Sequence, residues 1–425
     1  MLAALPGEEN RNENWWQCWA SRSLKKFLIV SDIHAISEEL SKLPQEHGYH
    51  GENGSSFKVE SRTPASNPVL AISECLKSKE FSIDALICLG DFAHQAKKLV
   101  MLQVWRDLHD VAEALGIPTV IGITGNHDIA TRVDDMDTAA GRVEFLKQVR
   151  PKFPSADDGL SADYHQHGVG ALELGECIVV AVDTCTLHGL GKDDTTSSNI
   201  WSVGYLTEGM IDRILRTIED SPCTHALIIM HHHPLKVDGV MDSHYDEVPK
   251  GPLLLEQLAK SSKTCFVVHG HKHLVKLKRP DADTKYPALL SAASLAAYPY
   301  LGQGSHYSNQ FHLLEYDTST IERAQGTVFS WDWSAARWEP SKKHSMPHVL
   351  RFGPVPELDK IEHALKKLGI ITSINRAKLL EAIPEIEYLT LDEIDELNKR
   401  LDSTGLEIVI RQSKISGVMV QEGET

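Results

Sequence analysis

The stretch Pro118-Thr-Val-Ile-Gly-Ile-Thr-Gly125-Asn126-His127-Asp128 determines how the rest of this 425-residue chain is interpreted. Its β-branched apolar residues predict a buried strand that ends at a glycine, followed by three polar side chains that can bind a metal ion. An Asx-type turn, in which Asn126 and Asp128 bond their own backbone, fits the same residues. The choice between the two depends on whether the arrangement recurs along the chain.

Four other apolar runs also end in polar, metal-competent side chains. They are Lys25–Val30 with Asp32 and His34, Asp84–Leu89 with Gly90 and Asp91, His225–Met230 with His231, His232 and His233, and Thr264–Val268 with His271 and His273. Alternate residues of an extended chain point the same way, so Asp32 and His34 can bind one ion. Ligands at the same end of neighbouring strands meet in one cleft, and we therefore expect a single site.

The segments between these strands predict the architecture. Helical patterns over 68–80 and 97–115 alternate with the first three strands, which is typical of an α/β sheet with helices packed on it. We predict an N-terminal extension (1–24), a large domain (25–338), a proline-containing linker (339–356) and a small helical C-terminal domain (357–425), with residues 413–425 frayed.

Composition limits the classes of partner and location. The formal net charge of −16 disfavours sequence-independent binding to phosphate backbones. The seven cysteines are scattered without a CxxC pair, which indicates reduced thiols of a cytoplasmic protein. We expect neither a membrane span nor a signal peptide, because the sequence has no 18-residue apolar run and no basic-then-apolar leader.

The ordered set of strand-end motifs resembles the calcineurin-like metallophosphoesterases over roughly residues 25 to 330. The Met-His-His-His-Pro and Gly-His-x-His forms resemble the class III cyclic-nucleotide phosphodiesterase branch. The resemblance implies a four-layer αββα sandwich. The family pattern does not include the C-terminal segment, which we expect to form a small helical appendage. It also implies that one metal ion is bound by Asp32, His34, Asp91 and His273. The second ion would be bound by Asp91, Asn126, His231 and His271, with Asp91 as the bridge.

Two points of this assignment stay open. His232 is the alternative to His231 as a ligand, and His233 would support a neighbouring ligand. The donors are nitrogen and oxygen without thiolate, a set that suits two divalent or trivalent ions of iron, manganese or zinc. A carboxylate is the natural bridge, because its charge offsets the repulsion between two cations.

The activity implied by the resemblance is metal-dependent hydrolysis of a phosphoester, most of all a cyclic nucleotide or related phosphodiester, by a metal-activated water. His127 would donate to the phosphate or protonate the leaving group, and Asp128 would orient His127 or the turn. His94 either lines the pocket or is a loop histidine. A nuclease, a phosphomonoesterase and a non-catalytic scaffold are the alternatives.

The C-terminal segment predicts a separate module. Short amphipathic helices are expected over 357–368, 375–382 and 390–401, the last opened by a Thr390-to-Glu393 capping box. The segment is similar to the small acidic N-terminal helical domain of primary sigma factors, and such a module packs or docks a protein partner. The loops at 35–67, 187–200 and 235–250 are expected to set substrate specificity.

Overall fold

The structure is a computed structural model that describes residues 24–39, 55–79, 81–94, 97–129, 144–185, 203–236, 247–278, 286–298, 308–343, 345–411 and 414–420. The predicted N-terminal extension lies outside these residues except for Leu24. None of the described helices is both long enough and apolar enough to cross a membrane.

The first sheet has seven strands. They are β1 (Leu24–Val30), β2 (Ala85–Cys88), β3 (Val120–Gly122), β10 (Gln310–Asp317), β11 (Gln325–Ser334), β12 (Arg337–Pro340) and β13 (Val349–Phe352). Their order is β12-β11-β10-β1-β2-β3, and β13 also pairs with β11. Because β1, β2 and β3 run parallel, their carboxyl ends lie at the same edge of the sheet.

The second sheet has six strands. They are β4 (Val169–Leu174), β5 (Cys177–Val182), β6 (His225–Met230), β7 (Thr264–His269), β8 (Lys276–Lys278) and β9 (Ala288–Ser291), in the order β4-β5-β6-β7-β9-β8. The neighbours β5, β6, β7 and β9 are parallel. The residues that follow β6 and β7 therefore leave the sheet side by side.

The two sheets pack face to face between two helical layers. Phe266 of β7 meets Tyr316 of β10 and Phe352 of β13, with ring centroids 5.8 and 4.8 Å apart. Ile72 of α1 (Leu70–Lys77) and Val104 of α2 (Lys98–Ala114) belong to the same buried cluster. A second cluster joins the second sheet to α4 (Glu208–Asp220) and α5 (Gly251–Leu258), and α3 (Asp158–His167) precedes β4. The predicted α/β sandwich with four layers is confirmed.

Helix α4 illustrates how a local signal places an element. The Thr207 hydroxyl accepts a hydrogen bond from the backbone N–H of Met210, so Thr207 is the N-cap that the sequence predicts. Ile211, Ile214 and Ile218 follow at helical spacing and are all buried. The helix therefore covers the outer face of the second sheet with this apolar side.

The C-terminal segment has its own small core. It contains α6 (Leu358–Lys367), β14 (Ser373–Asn375), α7 (Arg376–Ala382), α8 (Leu391–Leu401), β15 (Leu406–Arg411) and β16 (Lys414–Val420). Thr390 and Glu393 form the predicted capping box. The prediction that residues 413–425 are frayed is wrong for 414–420, because β16 is the middle strand of the sheet β14-β16-β15 and buries Ile415 and Val418.

The predicted domain limits at 25–338, 339–356 and 357–425 remain a prediction. Strand β13 lies within the interval predicted as a linker and pairs with β11 from Gly326 to Phe329. Arg351 of β13 also forms an ion pair of 3.0 Å with Glu387, which precedes α8. Residues 349–352 thus connect the first sheet to the C-terminal core.

Candidate metal centre

The side chains predicted as metal ligands lie together at the carboxyl edges of the two sheets. Asp32 and His34 follow β1, Asp91 follows β2, and Asn126 follows β3. The histidines at 231, 271 and 273 follow β6 and β7. All seven side chains are buried, although Asp and Asn side chains are mostly exposed in folded proteins. Such a concentration of buried polar groups requires partners for them.

The first cluster comprises Asp32, His34, Asp91 and His273. The Nε2 atoms of His34 and His273 are 3.1 Å apart. His34 Nε2 lies 3.3 Å from Asp91 Oδ2, and His273 Nε2 lies 3.4 Å from Asp32 Oδ1. The measured separations among these four potential ligand atoms therefore run from 3.1 to 3.9 Å.

The second cluster comprises Asp91, Asn126, His231 and His271. Asn126 Oδ1 lies 3.0 Å from His231 Nε2 and 2.9 Å from His271 Nδ1. The two ring nitrogens are 3.2 Å apart, and His231 Nε2 lies 3.5 Å from Asp91 Oδ2. The oxygen of Asp91 that faces His34 is thus the oxygen that faces His231.

These separations test whether the residues fit metal ions. Ligand atoms about 2.1 Å from an ion are roughly 3.0 Å apart at right angles and roughly 3.4 Å apart in a tetrahedron. The distances given for both clusters lie within about 0.1 Å of this range, and His34 Nε2 lies farther from Asp32 Oδ1, at 3.9 Å. The donors are imidazole nitrogen, carboxylate oxygen and amide oxygen, the set that iron, manganese and zinc accept. The residues therefore fit one ion in each cluster, with Asp91 Oδ2 between them.

The backbone at the site is unusual. Asp32, His34, Asp91, His271 and His273 all have positive φ, between 48° and 84°. This conformation is unfavourable for side chains with a Cβ and is retained where the surroundings enforce it. Backbone hydrogen bonds hold it here, because His34 N–H donates to the Asp91 carbonyl at 2.8 Å and Asp32 N–H donates to the Gly90 carbonyl at 3.1 Å.

At two positions the backbone passes so close to neighbouring side chains that only glycine fits. A Cβ at Gly125 would lie 2.1 Å from Asp91 Oδ1, and a Cβ at Gly270 would lie 2.0 Å from Ser31 Oγ and 2.5 Å from Asp32 Oδ2. Any larger residue would displace these carboxylates. The glycines in the Gly-Asn-His-Asp and Gly-His-x-His motifs thus allow the chain to pass directly over the acidic ligands.

Asp128 holds the turn that contains Asp91. Its Oδ2 accepts from the backbone N–H groups of Asp91 and Gly125 at 2.8 and 2.9 Å. Its Oδ1 accepts from those of Phe92 and Ala93 at 2.8 and 3.3 Å. Burial and the neighbouring charge of Asp91 raise the pKa of Asp128 to about 7. Asp128 therefore orients the turn after β2 rather than the His127 ring.

The electrostatic environment shifts the pKa values of Asp91, His231 and His127 in different directions. Burial alone would raise the pKa of Asp91, yet the adjacent His231 and His34 hold that pKa well below its usual range. Burial would lower the pKa of His231, but the Asp91 carboxylate raises it to about 9. Burial lowers the pKa of His127 to about 3, so its imidazole is neutral at neutral pH.

His127 lies on the partly exposed side of the first cluster. Its backbone N–H donates to Asp91 Oδ1 at 2.7 Å, and its ring lies 4.6 Å from that of His34 between centroids. The ring of His94 stacks against it at 5.2 Å, with 24° between the ring planes. The structure thus places His94 beside the site.

The three consecutive histidines have different partners. His231 donates through its Nδ1–H to the Leu89 carbonyl at 2.7 Å, which directs its Nε2 toward Asp91. His232 Nδ1 lies 2.7 Å from Thr184 Oγ1. The His233 ring lies 4.4 Å from that of His269, and both its nitrogens are buried without a hydrogen-bond partner in the described part of the chain.

Thr184 was not identified from the sequence. It follows β5 at the same edge as the other site residues and orients His232. The signal was present, because the apolar run Cys177–Val182 also ends in polar residues, Asp183 and Thr184. Much of the loops expected to set specificity, at 40–54, 186–202 and 237–246, lies outside the described residues.

The comparisons with known proteins agree with this arrangement. A family model described as calcineurin-like phosphoesterase matches residues 25–275, more than half of the chain. The protein therefore belongs to the calcineurin-like phosphoesterase family. A second model, for a winged helix-turn-helix region associated with calcineurin-like domains, matches residues 350–403. The C-terminal appendage thus combines the predicted helices with a small sheet.

Solved structures with similar folds are distant. A purple acid phosphatase from yellow lupin (Lupinus luteus) has 12% identity and a TM-score of 0.44, with 73% of this chain and 52% of that chain covered. A putative 5'-nucleotidase from Staphylococcus aureus has 11% identity and a TM-score of 0.38, covering 94% and 70%. The GAP50 anchor of the Plasmodium inner membrane complex has 10% identity and a TM-score of 0.40, covering 77% and 89%.

The chain spans about half the length of the lupin phosphatase chain. No curated protein matches the sequence. The resemblance to the class III phosphodiesterase branch therefore stays a prediction.

Proposed function

We propose that this protein is a dinuclear-metal-dependent phosphoester hydrolase, and specifically a phosphodiesterase. The observation that supports it most is the position of Asp91 Oδ2, which lies 3.3 Å from His34 Nε2 and 3.5 Å from His231 Nε2. One carboxylate oxygen is shared by two clusters of ligand-type atoms. That is the arrangement expected of a bridging ligand between two cations.

In this proposal the first ion is bound by Asp32, His34, Asp91 and His273, and the second by Asp91, Asn126, His231 and His271. His231 is preferred to His232 because its Nε2 faces both Asp91 and Asn126. The Nδ1 atom of His232 is engaged by Thr184. His232 then supports His271, whose ring lies 4.4 Å away.

Bound iron, manganese or zinc would lower the pKa of a shared water and offset the charge of the phosphoryl oxygens. The residues of the chain contribute orientation and hydrogen bonds. Asp128 fixes the Asp91 turn through four backbone N–H groups. The His127 ring is neutral and partly exposed, so its N–H group can donate a hydrogen bond to a phosphoryl oxygen or to the leaving oxygen.

The proposed substrate class and location rest mainly on the sequence. A cyclic nucleotide or related diester is proposed as the substrate because of the Met230-to-Pro234 and Gly270-to-His273 forms. A nuclease activity is disfavoured by the net charge of −16. A cytoplasmic location is supported by the free thiols of the six described cysteines.

We also propose a protein rather than a nucleic acid as the partner of the C-terminal module. The exposed residues of α8 are Asp392, Asp395, Glu396 and Lys399. This mainly acidic surface would repel a phosphate backbone. Fluorescence anisotropy with a labelled DNA duplex at low salt is expected to show no binding, and tight salt-sensitive binding through α8 would contradict the proposal.

The central experiment measures hydrolysis of bis(p-nitrophenyl) phosphate, p-nitrophenyl phosphate and cyclic nucleotides by manganese-loaded protein. We expect diester hydrolysis that Asp91→Asn abolishes together with metal binding. Asp158→Asn is the matched control, because the Asp158 side chain is 96% exposed and forms its ion pair with Lys152, which is not a residue of the two clusters. Full activity in Asp91→Asn, or no hydrolysis of any phosphoester by metal-loaded protein, would refute the proposal.

A further inference from the structure

Two histidines at the centre differ from the others in exposure. His94 and His127 are partly exposed. The buried histidines of this region are His34, His231, His232, His233, His269, His271 and His273. Among the described histidines of this region, His94 and His127 are therefore the ones within reach of solvent. The sequence left open whether His94 lines the pocket, and its exposure together with its neighbours places it there.

The rings of His94, His127 and His34 lie close enough together to contact the same ligand group. His94 stacks on His127 at 5.2 Å, and its centroid lies 5.9 Å from that of His34. One nitrogen of each ring lies within 4.8 Å of the other two. Two N–H donors that each lie about 2.8 Å from the same oxygen are separated by roughly 4.5–5 Å. A single oxygen atom can therefore accept from both partly exposed imidazoles.

His94 also has an unused polar atom. Its Nδ1 is buried without a hydrogen-bond partner among the described residues. Its main chain is fixed, because His94 N–H donates to the Ala35 carbonyl at 2.9 Å and Ala93 forms a parallel bridge with Ala35. The main chain thus holds the ring in place, and its Nδ1 has no hydrogen-bond partner among the described residues, as expected of a preorganised binding group.

We propose that His94 binds a non-bridging phosphoryl oxygen of the substrate together with His127. This inference rests on the proposed function, and it adds a second imidazole to the one that the family motif supplies. The ligand class is a tetrahedral oxyanion, because such a group brings several acceptor oxygens to two adjacent N–H donors. His34 remains a ligand of the first ion, since its Nε2 faces Asp91 and His273.

The experiment separates hydrogen bonding from ring packing. His94→Phe retains a ring that can stack on His127 but has no N–H group, whereas His94→Gln retains a donor without the ring. We expect His94→Phe to lower kcat/KM for bis(p-nitrophenyl) phosphate on the order of 10- to 100-fold, the loss typical of one hydrogen bond to a charged group. His94→Gln should recover part of this loss.

Two further measurements complete the test. Inhibition by inorganic phosphate should weaken in His94→Phe by a similar factor, while metal analysis should still find the wild-type content of manganese. His109→Phe is the matched control, because His109 is also half-buried with an unpartnered nitrogen but lies on α2 against Trp105. His109→Phe should leave both kcat/KM and the inhibition by inorganic phosphate unchanged.

The results for His94→Phe and for the wild-type protein test the role of His94 and the proposed function separately. Wild-type activity and phosphate affinity in His94→Phe would overturn the inference alone, because packing would then account for His94. Loss of manganese from His94→Phe would also overturn it, because His94 would then be a metal ligand. An inactive wild-type protein that binds no phosphate would overturn the proposed function and this inference with it.

Discussion

Asp128→Asn is the most informative substitution for the stability of the site. The side chain keeps its shape, but one of its two oxygens becomes an amide N–H₂ group. Each oxygen of Asp128 accepts from two buried backbone N–H groups, so the substitution leaves two of those four donors facing another donor. A buried donor without a partner costs about 1–3 kcal/mol, which gives roughly 2–6 kcal/mol for the pair.

The assay is equilibrium unfolding in urea with matched metal analysis, at about pH 8, where Asp128 is mainly ionised because its raised pKa is about 7. We expect Asp128→Asn to lower the free energy of unfolding by that amount and to reduce metal content, because the affected turn positions Asp91. Asp158→Asn should leave the metal content unchanged and lower the free energy of unfolding only slightly, since it removes only the solvent-exposed ion pair with Lys152. A loss below about 0.5 kcal/mol, the range of ordinary surface substitutions, with full metal content would refute the view that Asp128 holds the turn.

Three other predictions concern metal, backbone and pH. Removing metal with a chelator should lower the free energy of unfolding, by about 2.7 kcal/mol relative to protein with free metal at 100 times its Kd, and a midpoint independent of manganese would contradict this. Gly125→Ala should abolish metal binding, because its Cβ would lie 2.1 Å from Asp91 Oδ1; wild-type manganese content by elemental analysis would refute that. Burial lowers the pKa of His312 from 6.5 to about 3, so the stability that its neutral form contributes is present above pH 6.5 and is lost as the pH falls toward 3. Between pH 7 and 5 this loss is about 2 kcal/mol, and His312→Gln should reduce the dependence of the free energy of unfolding on pH by that amount. An unchanged pH dependence in His312→Gln would contradict this prediction.

The sequence predicted the strands and the residues that follow them because both signals are local. An apolar run such as His225–Met230 is typical of a strand buried in a parallel sheet, and the polar residues that follow it mark where the strand ends. The residues after β1, β2, β3, β6 and β7 meet because parallel strands share an edge. The predicted ligand set itself remains a proposal, supported by the distances in the two clusters.

Other features depend on contacts that no local pattern encodes. Thr184 orients His232 from the neighbouring strand, and that pairing exists only once β5 and β6 are aligned. The proximity of His94 to His127 depends on the parallel pairing of β2 with β3. Strand β16 was missed because its short, glycine-containing sequence is stabilised by β14, β15 and the helices rather than by its own propensity.

The most direct test of the account is a crystal structure of manganese-loaded protein with an anomalous difference map. The account predicts two peaks about 3.5–4 Å apart, one beside His34 and His273 and the other beside His231 and His271, with a carboxylate oxygen of Asp91 bound to both. A single peak, or two ions that do not share Asp91, would contradict it.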